Sequence, residues 1–254
     1  MTDKVFSSAK EAVADIFDGA TVMVGGWLLG PRLRPHNFLN ALYEQGTKDL
    51  VIITESVTPT LEMSKRAFPP DGFIATSILF EKKQVRKVIA GYAITPYAHE
   101  PTTFEKLYFA GEIEFEPVPY GTLAERIRAG GAGIGGFYTR TGVGTYLEEG
   151  KEKRVFDGME YILEMPLKAD FALIKAYKAD KMGNLIYRKT TRNINPAMAT
   201  AANITIAEVD EIVEPGELDP ETIVTPGVYV DRIVKVPSIP WSLKWGTRQV
   251  LRFR

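Results

Sequence analysis

The fold class this sequence predicts is an α/β domain with a mainly parallel sheet and helices on both faces. Three observations carry that reading. Short, nearly all-apolar runs such as residues 20–24 (ATVMV) and 50–54 (LVIIT) suit strands buried on both faces. Helical segments with one apolar stripe alternate with them. The 254 residues, 45% apolar and 25% charged, are enough for one large domain without covalent staples.

The elements follow in order. Ser8 and Glu11 form a capping box for a first helix that places Ala12, Val13, Ile16 and Phe17 on one face. Asp18-Gly19 ends it. Strand 20–24 comes next and stops at Gly25-Gly26. Pro35 begins a second helix, with Phe38, Leu39 and Leu42 as its buried stripe. Strand 50–54 precedes a helical segment, 61–68, that Pro69-Pro70 stops. Residues 85–92 contain another strand. Helix 102–110 has Thr102 as N-cap and Glu105 three residues on. A strand at 113–118 and a helix at 122–129 complete the first half. Glu112, Glu114 and Glu116 alternate along that strand and read as its wet face.

The second half is richer in strands, at 161–163, 171–175 and 204–206. A hairpin turn at Met182-Gly183-Asn184 precedes residues 185–187. Asn195-Pro196 opens a short helix, with the asparagine as cap, that runs to Ala202. Neither a repeat nor a low-complexity linker interrupts the chain. The expectation is a single domain over 1–254, with a β-hairpin excursion near Asp180 and an atypical tail from about 235.

Composition excludes several functions. With 31 basic and 32 acidic side chains, the formal net charge of −1 gives no global field for nucleic acid or anionic membrane. The basic stretch of Lys244, Arg248, Arg252 and Arg254 reads as a tail touching solvent or a partner. Without cysteine there is no disulfide, thiolate nucleophile or Cys-ligated zinc. His36 and His99 lack metal-ligand spacing, so no metal site is expected. The N-terminal segment lacks the pattern of a signal peptide, and no apolar run approaches the roughly 18 residues that cross a bilayer. The expectation is a cytoplasmic protein.

Three segments are candidates for chemistry. The turn Gly25-Gly26-Trp27-Leu28-Leu29-Gly30-Pro31 follows a buried strand, where open α/β sheets bind ligands. Glycines there let a phosphate or thioester approach backbone N–H groups. The same glycines suit a tight strand–helix turn with no ligand. A cluster at residues 130–136 contains G-x-G-x-x-G at Gly131, Gly133 and Gly136, but a helix precedes it, against the dinucleotide-binding pattern. The segment 137–145 (FYTRTGVGT) offers three threonine hydroxyls and Arg140 for an anion, and by itself reads more as a surface loop. Glu55, at a strand end, reads more as a solvated acid than as a site residue.

The run GTLAERIRAGGAGIGGFYTRTGVGT (121–145) resembles the α-type subunit of family I CoA-transferases, the 3-oxoacid CoA-transferases. So do FDGMEYILEMPLKADFALIKAYKADKMGNLIYRKTTRNINPAMATAA from Phe156, ITIAEVDEIVEPGELDP, TPGVYVDRIV and the early DGATVMVGG. The resemblance covers roughly residues 5–234. It implies a three-layer α/β/α fold, shared with a β-type subunit in an α2β2 assembly. The implied reaction moves CoA from an acyl-CoA to a 3-oxoacid or related carboxylate. A glutamate in a Ser-Glu-Asn-Gly context attacks the thioester and carries a glutamyl-CoA intermediate. No such motif occurs here, so the catalytic glutamate is expected on the partner subunit, with no catalytic residue in this chain. No cofactor is bound permanently; a CoA thioester is the substrate. Gly25, Gly26, Trp27, Leu28, Leu29, Gly30, Pro31, Tyr120, Gly133, Phe137, Thr139 and Arg140 are the expected CoA- and substrate-binding residues.

The chain departs from the family pattern at several of these positions. Trp27 replaces the usual Phe after the double glycine, and Pro31 and Leu33 break the Gly-x-Pro spacing that follows. Tyr120 stands where a glutamine usually precedes GTLAERI. A Gly-Glu-Asn is absent after Ala90-Gly91-Tyr92, and Arg140 replaces a proline. One reading is a changed acid substrate, larger or more apolar around Trp27 and Tyr120, or carrying another anion near Arg140. Others are a CoA-thioester hydrolase or ring-opening enzyme on the same scaffold, or a non-catalytic acyl-CoA-binding assembly subunit.

Overall fold

The computed structural model describes residues 4–26, 33–57, 76–93 and 101–236. The expected helix at 61–68, residues 27–31 of the first glycine turn, His99 and the tail from 237 lie outside them. Among the described residues, eight strands form one sheet. They are β1 (Val5–Phe6), β2 (Thr21–Val24), β3 (Leu50–Ser56), β4 (Val85–Tyr92), β5 (Glu114–Pro117), β9 (Ala169–Lys175), β12 (Ala202–Val209) and β14 (Arg232–Lys235). Their order is β1-β14-β12-β9-β2-β3-β4-β5, and every neighbouring pair is parallel.

The apolar runs have the composition they do because both faces of this sheet are covered. Val22 and Val24 of β2, Leu50 and Ile52 of β3, and Phe171 and Leu173 of β9 face one core. That core is closed by α1 (Ala9–Ala12), α2 (His36–Gln45), α3 (Ile78–Glu81) and α4 (Thr103–Phe109). Met23, Val51, Ile53, Ala172 and Ile174 alternate with those residues and face the other core. There α5 (Tyr120–Ala132) and α6 (Asn195–Ala201) pack. The result is the three-layer α/β/α arrangement.

The order of strands positions the site. From β2 the chain steps through β3, β4 and β5 in one direction, then returns to β9 on the other side of β2 and continues to β12 and β14. The boundary between β2 and β9 is therefore a topological switch point, where a crevice opens beyond the carboxyl ends of the strands.

Two smaller three-stranded sheets lie outside this frame. One joins β10 (Lys178–Asp180), β11 (Leu185–Ile186) and β13 (Glu211–Val213), and contains the expected hairpin. Asp180 Oδ1 accepts from the N–H groups of Met182 (3.0 Å) and Asn184 (2.9 Å) and so shapes its turn. The other is antiparallel: β6 (Phe137–Thr139), β8 (Met159–Glu164) and β7 (Lys153–Phe156). It turns the start of the expected 137–145 loop into strand.

Several local expectations need correcting. Ser8 accepts from Glu11 N, but the Glu11 carboxylate turns to Ser7 N and Oγ, so the first box is only half made. The helix stops at Ala12, and Phe17 is 54% exposed, edge-on to Phe171. The Thr102–Glu105 box is complete. Glu112 and Glu114 are exposed as expected, whereas Glu116 is half-buried and paired: Lys87 Nζ and Arg126 Nη1 each lie 2.8 Å from its carboxylate. Burial pushes that acid up, and the hydrogen bonds and charges of Lys87 and Arg126 outweigh it, leaving it below the usual carboxylate range. Asn195 does not cap α6. Its side chain is fully buried and donates to the carbonyls of Thr191 (2.7 Å) and Lys175 (3.1 Å).

Candidate functional site

The double glycine after β2 exists because two side chains occupy the space of its missing Cβ atoms. A Cβ on Gly25 would overlap the Asn195 side-chain amide. Gly26 has φ +121°, a backbone that favours glycine, and a Cβ there would meet Leu33 O and Arg34 Cγ at 2.5 Å. Gly25 N donates to Leu173 O of β9 at 2.9 Å, which fastens the turn across the switch point.

Arg34 enters this region from the residues just before α2 and is fully buried. Its Nη2 donates to Glu55 Oε2 (3.1 Å) and Ser56 Oγ (2.8 Å), and Nη1 to Thr76 Oγ1 (3.3 Å). Ser56 Oγ in turn donates to Glu55 Oε2 at 3.0 Å. Burial pulls the guanidinium down from its ordinary range, and the Glu55 charge opposes that. Glu55, at the carboxyl end of β3, is 5% exposed. It is a buried, paired carboxylate and not the solvated acid expected from its position.

Tyr120, the first residue of α5, reaches the same place. Its backbone lies against Gly91 of β4, where a Cβ would sit 3.4 Å from Tyr120 Cα. Its hydroxyl donates to Asn193 Oδ1, and Asn193 Nδ2 donates to Gly26 O. Burial and the nearby Glu55 charge push the phenol up to about 12. At neutral pH it is therefore a neutral donor. Asn193 holds this bridge from a left-handed backbone, φ +35°, which asparagine tolerates better than most residues.

A second charged group closes the β9–β12 side. Lys175 Nζ lies 2.8 Å from Asp210 Oδ1 and 3.4 Å from Glu208 Oε1. Glu208, fully buried, accepts from Asn37 N at 3.0 Å in the first turn of α2. The carboxyl ends of β2, β3, β4, β9 and β12 thus gather compensated charges and neutral hydroxyls, that of Tyr120 among them, around the switch point. Such a set can orient a polar, thioester-sized group without presenting it a bare charge.

Known proteins match this chain over nearly its whole length. The coenzyme A transferase family model matches residues 6–236. The chain belongs to the coenzyme A transferase family. The A subunit of 3-oxoadipate CoA-transferase from Acinetobacter baylyi is 46% identical over 95% of this chain and 99% of its own. The A subunit of a probable succinyl-CoA:3-ketoacid coenzyme A transferase from Bacillus subtilis is 48% identical, over 91% of this chain and 89% of its own. Among solved structures, an acyl-CoA transferase from E. coli O157:H7, a thioester complex with CoA, superposes with a TM-score of 0.76 at 23% identity. The match covers 94% of this chain and 48% of that one, so this chain spans about half of that structure's length. Glutaconate coenzyme A-transferase from Acidaminococcus fermentans gives 0.73 at 19% identity, over 92% of this chain and 76% of its own.

In this coenzyme A transferase chain the expected binding residues do not form one group. Gly25, Gly26 and Tyr120 meet at the carboxyl ends of the strands, and Trp27, Leu28, Leu29, Gly30 and Pro31 are outside the described residues. Gly133, Phe137, Thr139 and Arg140 lie toward the opposite end. Gly133 is the left-handed C-cap of α5, φ +70°. Within the same glycine cluster, a Cβ on Gly130 would overlap Leu167 O, just before β9, and one on Gly131 would overlap the Thr200 hydroxyl. Phe137 and Thr139 belong to β6, paired with Glu164 and Ile162 of β8, and Arg140 follows them beside an open hollow with Thr141, Val143 and Glu160. The six steps of β9 alone separate the two ends by roughly 20 Å. A small acid held by this chain cannot touch both Tyr120 and Arg140. Sequence reasoning missed Arg34, Ser56, Asn193 and Asn195. The only local signal was Asn193 in the run RKTTRNINP, an asparagine able to adopt φ above zero.

Proposed function

We propose that this chain is the α-type half of a two-subunit CoA-transferase. The complex moves CoA from an acyl-CoA to a 3-oxoacid or related carboxylate. The reading rests on the near end-to-end correspondence with relatives that each form the corresponding half of such an enzyme. The partner subunit supplies a glutamate that attacks the thioester carbonyl. CoA thiolate leaves and an acyl anhydride forms; the thiolate then attacks the glutamyl carbonyl, releasing the first acid and leaving glutamyl-CoA. The incoming carboxylate takes the acyl position by the reverse sequence.

This chain supplies the wall of that site. Gly25 and Gly26 let Asn195 and Arg34 pack against the turn that borders the crevice. Tyr120 donates a neutral hydrogen bond, and Asn193 fixes its hydroxyl relative to Gly26 O. Because Arg34 neutralises Glu55, the described wall does not repel the acid being exchanged. The substrate-facing surface of this chain is the switch-point crevice; the sheet carrying Phe137, Thr139 and Arg140 is outside it.

The test is to co-purify the chain with its β-type partner, add acyl-CoA, and weigh both proteins. A CoA adduct on a partner glutamate that a carboxylic acid discharges supports the transferase. An adduct that only water discharges replaces it with a thioester hydrolase, and acyl-CoA binding without an adduct leaves only an assembly role.

A further inference from the structure

We propose that β7 is a docking edge for a second copy of this chain, paired with itself across a twofold axis through Val155. The sheet that carries it lies toward the end of the domain opposite the crevice. A glutamate-bearing subunit has to face the crevice, so this edge is open to another chain, whichever reaction the crevice performs. β7 is an outer strand of its three-stranded sheet, and all four of its residues, Lys153–Phe156, are exposed. Val155 is 64% and Phe156 43% exposed. Uncovered edges of this kind are templates for pairing with another chain.

The backbone is set for such pairing. Glu152 O accepts from Leu163 N at 2.9 Å, and the ladder continues with Arg154 opposite Tyr161 and Phe156 opposite Met159. Bonds in an antiparallel ladder fall on alternate residues. Glu152, Arg154 and Phe156 therefore turn their N–H and C=O groups toward β8, while Lys153 and Val155 turn theirs outward. Asp157 and Gly158, at φ +50° and +74°, close β7 onto β8 in a tight two-residue turn. That turn ends the edge and leaves Asp157 exposed just beyond it.

The side chains select the occupant. An edge that pairs antiparallel with its own copy sets each residue opposite one on the same face, and every contact occurs twice. With Val155 opposite Val155 of the second copy, Arg154 lies opposite Phe156 and Lys153 opposite Asp157. The first pair sets a cation beside a ring that Tyr138 and Tyr161 already meet edge-on, at 5.5 and 5.3 Å between centroids. The second joins opposite charges, and Asp157 has no ion pair among the described residues. Moving the axis to Lys153 or Arg154 sets like charges against each other, and moving it to Phe156 sets Val155 against Asp157. The register centred on Val155 alone joins unlike charges and apolar groups together. The edge is complementary to itself, which is what a second copy requires.

The chain has no cysteine, so an introduced one reports proximity without background. Residues directly opposite in such a pair have Cα atoms about 5.5 Å apart, within the span of a disulfide. Under mild oxidation Val155→Cys is expected to form a covalent dimer at least about tenfold faster than Arg154→Cys, or than Lys235→Cys on β14. Equal rates, or faster dimerisation at 154, would overturn the register. Sedimentation of the complex with the β-type subunit should show two copies of this chain, and Val155→Pro should reduce them to one. Proline there removes an outward N–H, which an edge strand tolerates, so β7 stays on β8. One copy in the wild type, or two in the proline variant, would overturn the proposal. Lys153→Asp should weaken self-association about tenfold, and Lys153→Asp/Asp157→Lys should restore it. Lysine suits position 157, since Lys83 and Lys189 hold the same backbone region. Lys153 Nζ also lies 2.7 Å from Glu148, and a role confined to that contact would not be rescued by the swap. If the chain combines with no β-type subunit, the proposed function fails by itself, and the same measurements on the full chain alone decide the edge.

Discussion

Replacing Arg34 by methionine removes a buried charge while keeping most of the side chain's length. The guanidinium is fully buried and donates to Glu55, Ser56 and Thr76. Its loss leaves the Glu55 carboxylate, 5% exposed, without that cation. Breaking a buried pair from one side costs about 3–5 kcal/mol, because the remaining charge is uncompensated. For a chain of this size that is a fall of roughly 6–20 °C in Tm. Glu55→Gln should cost less, since Arg34 keeps its hydroxyl acceptors. The double variant Arg34→Met/Glu55→Gln should be more stable than Arg34→Met alone, with a coupling of at least about 1 kcal/mol. Urea titration of each purified variant, followed by circular dichroism, gives the four free energies. A loss below about 1 kcal/mol for Arg34→Met, or additive single effects, would show that the charges do not depend on each other and would refute the reasoning.

Three further outcomes follow from other contacts. Tyr120→Phe removes the donor held by Asn193 and leaves Asn193 Oδ1 without it. In the transferase assay kcat/KM should fall about tenfold, and the lost bond should cost about 0.5–1.5 kcal/mol of stability. In α5, Gly130→Ala drives a methyl into Leu167 O and should cost about 1–3 kcal/mol. Gly121→Ala, where the same atom meets open space, should stabilise by about 0.5–1 kcal/mol in a urea melt. The Arg232 hydrogen bonds hold the Asp15 carboxyl below its usual range. An acid depressed in the folded state contributes stability that is present above its unfolded pKa, about 4, and lost as pH falls through the folded value. Asp15→Asn should therefore flatten the acid side of the stability curve below about pH 4, and a curve superimposable on wild type would disprove the link.

The frame was readable because its determinants are local. Residues 50–54 announce a strand through their own composition, and Thr102 and Glu105 lie one helical turn apart. The site was less readable because its causes are distant. The cluster at 130–136 shows glycine in sequence, but the reason for Gly130 sits at Leu167 and that for Gly131 at Thr200. Glu55 looked like a solvated strand end because the arginine that buries it enters from before α2. Asn195 had the form of a cap, and only the fold shows its amide pressed on Gly25. Tyr120 was singled out by its departure from a family pattern, whereas Asn193, which holds its hydroxyl, had no such marker.

The bridge made by Asn193 also has a kinetic consequence. It joins residue 26 to residue 193 and residue 193 to residue 120, spans of 167 and 73 positions. Contacts that close such long loops form late, after the nearby helix and hairpin contacts. During synthesis the first 150 residues can lay down β2 through β5 and still have no crevice, since its far wall is at the other end of the chain. A nascent or truncated chain would carry a sheet and no site, and so could not bind a thioester before its fold is complete.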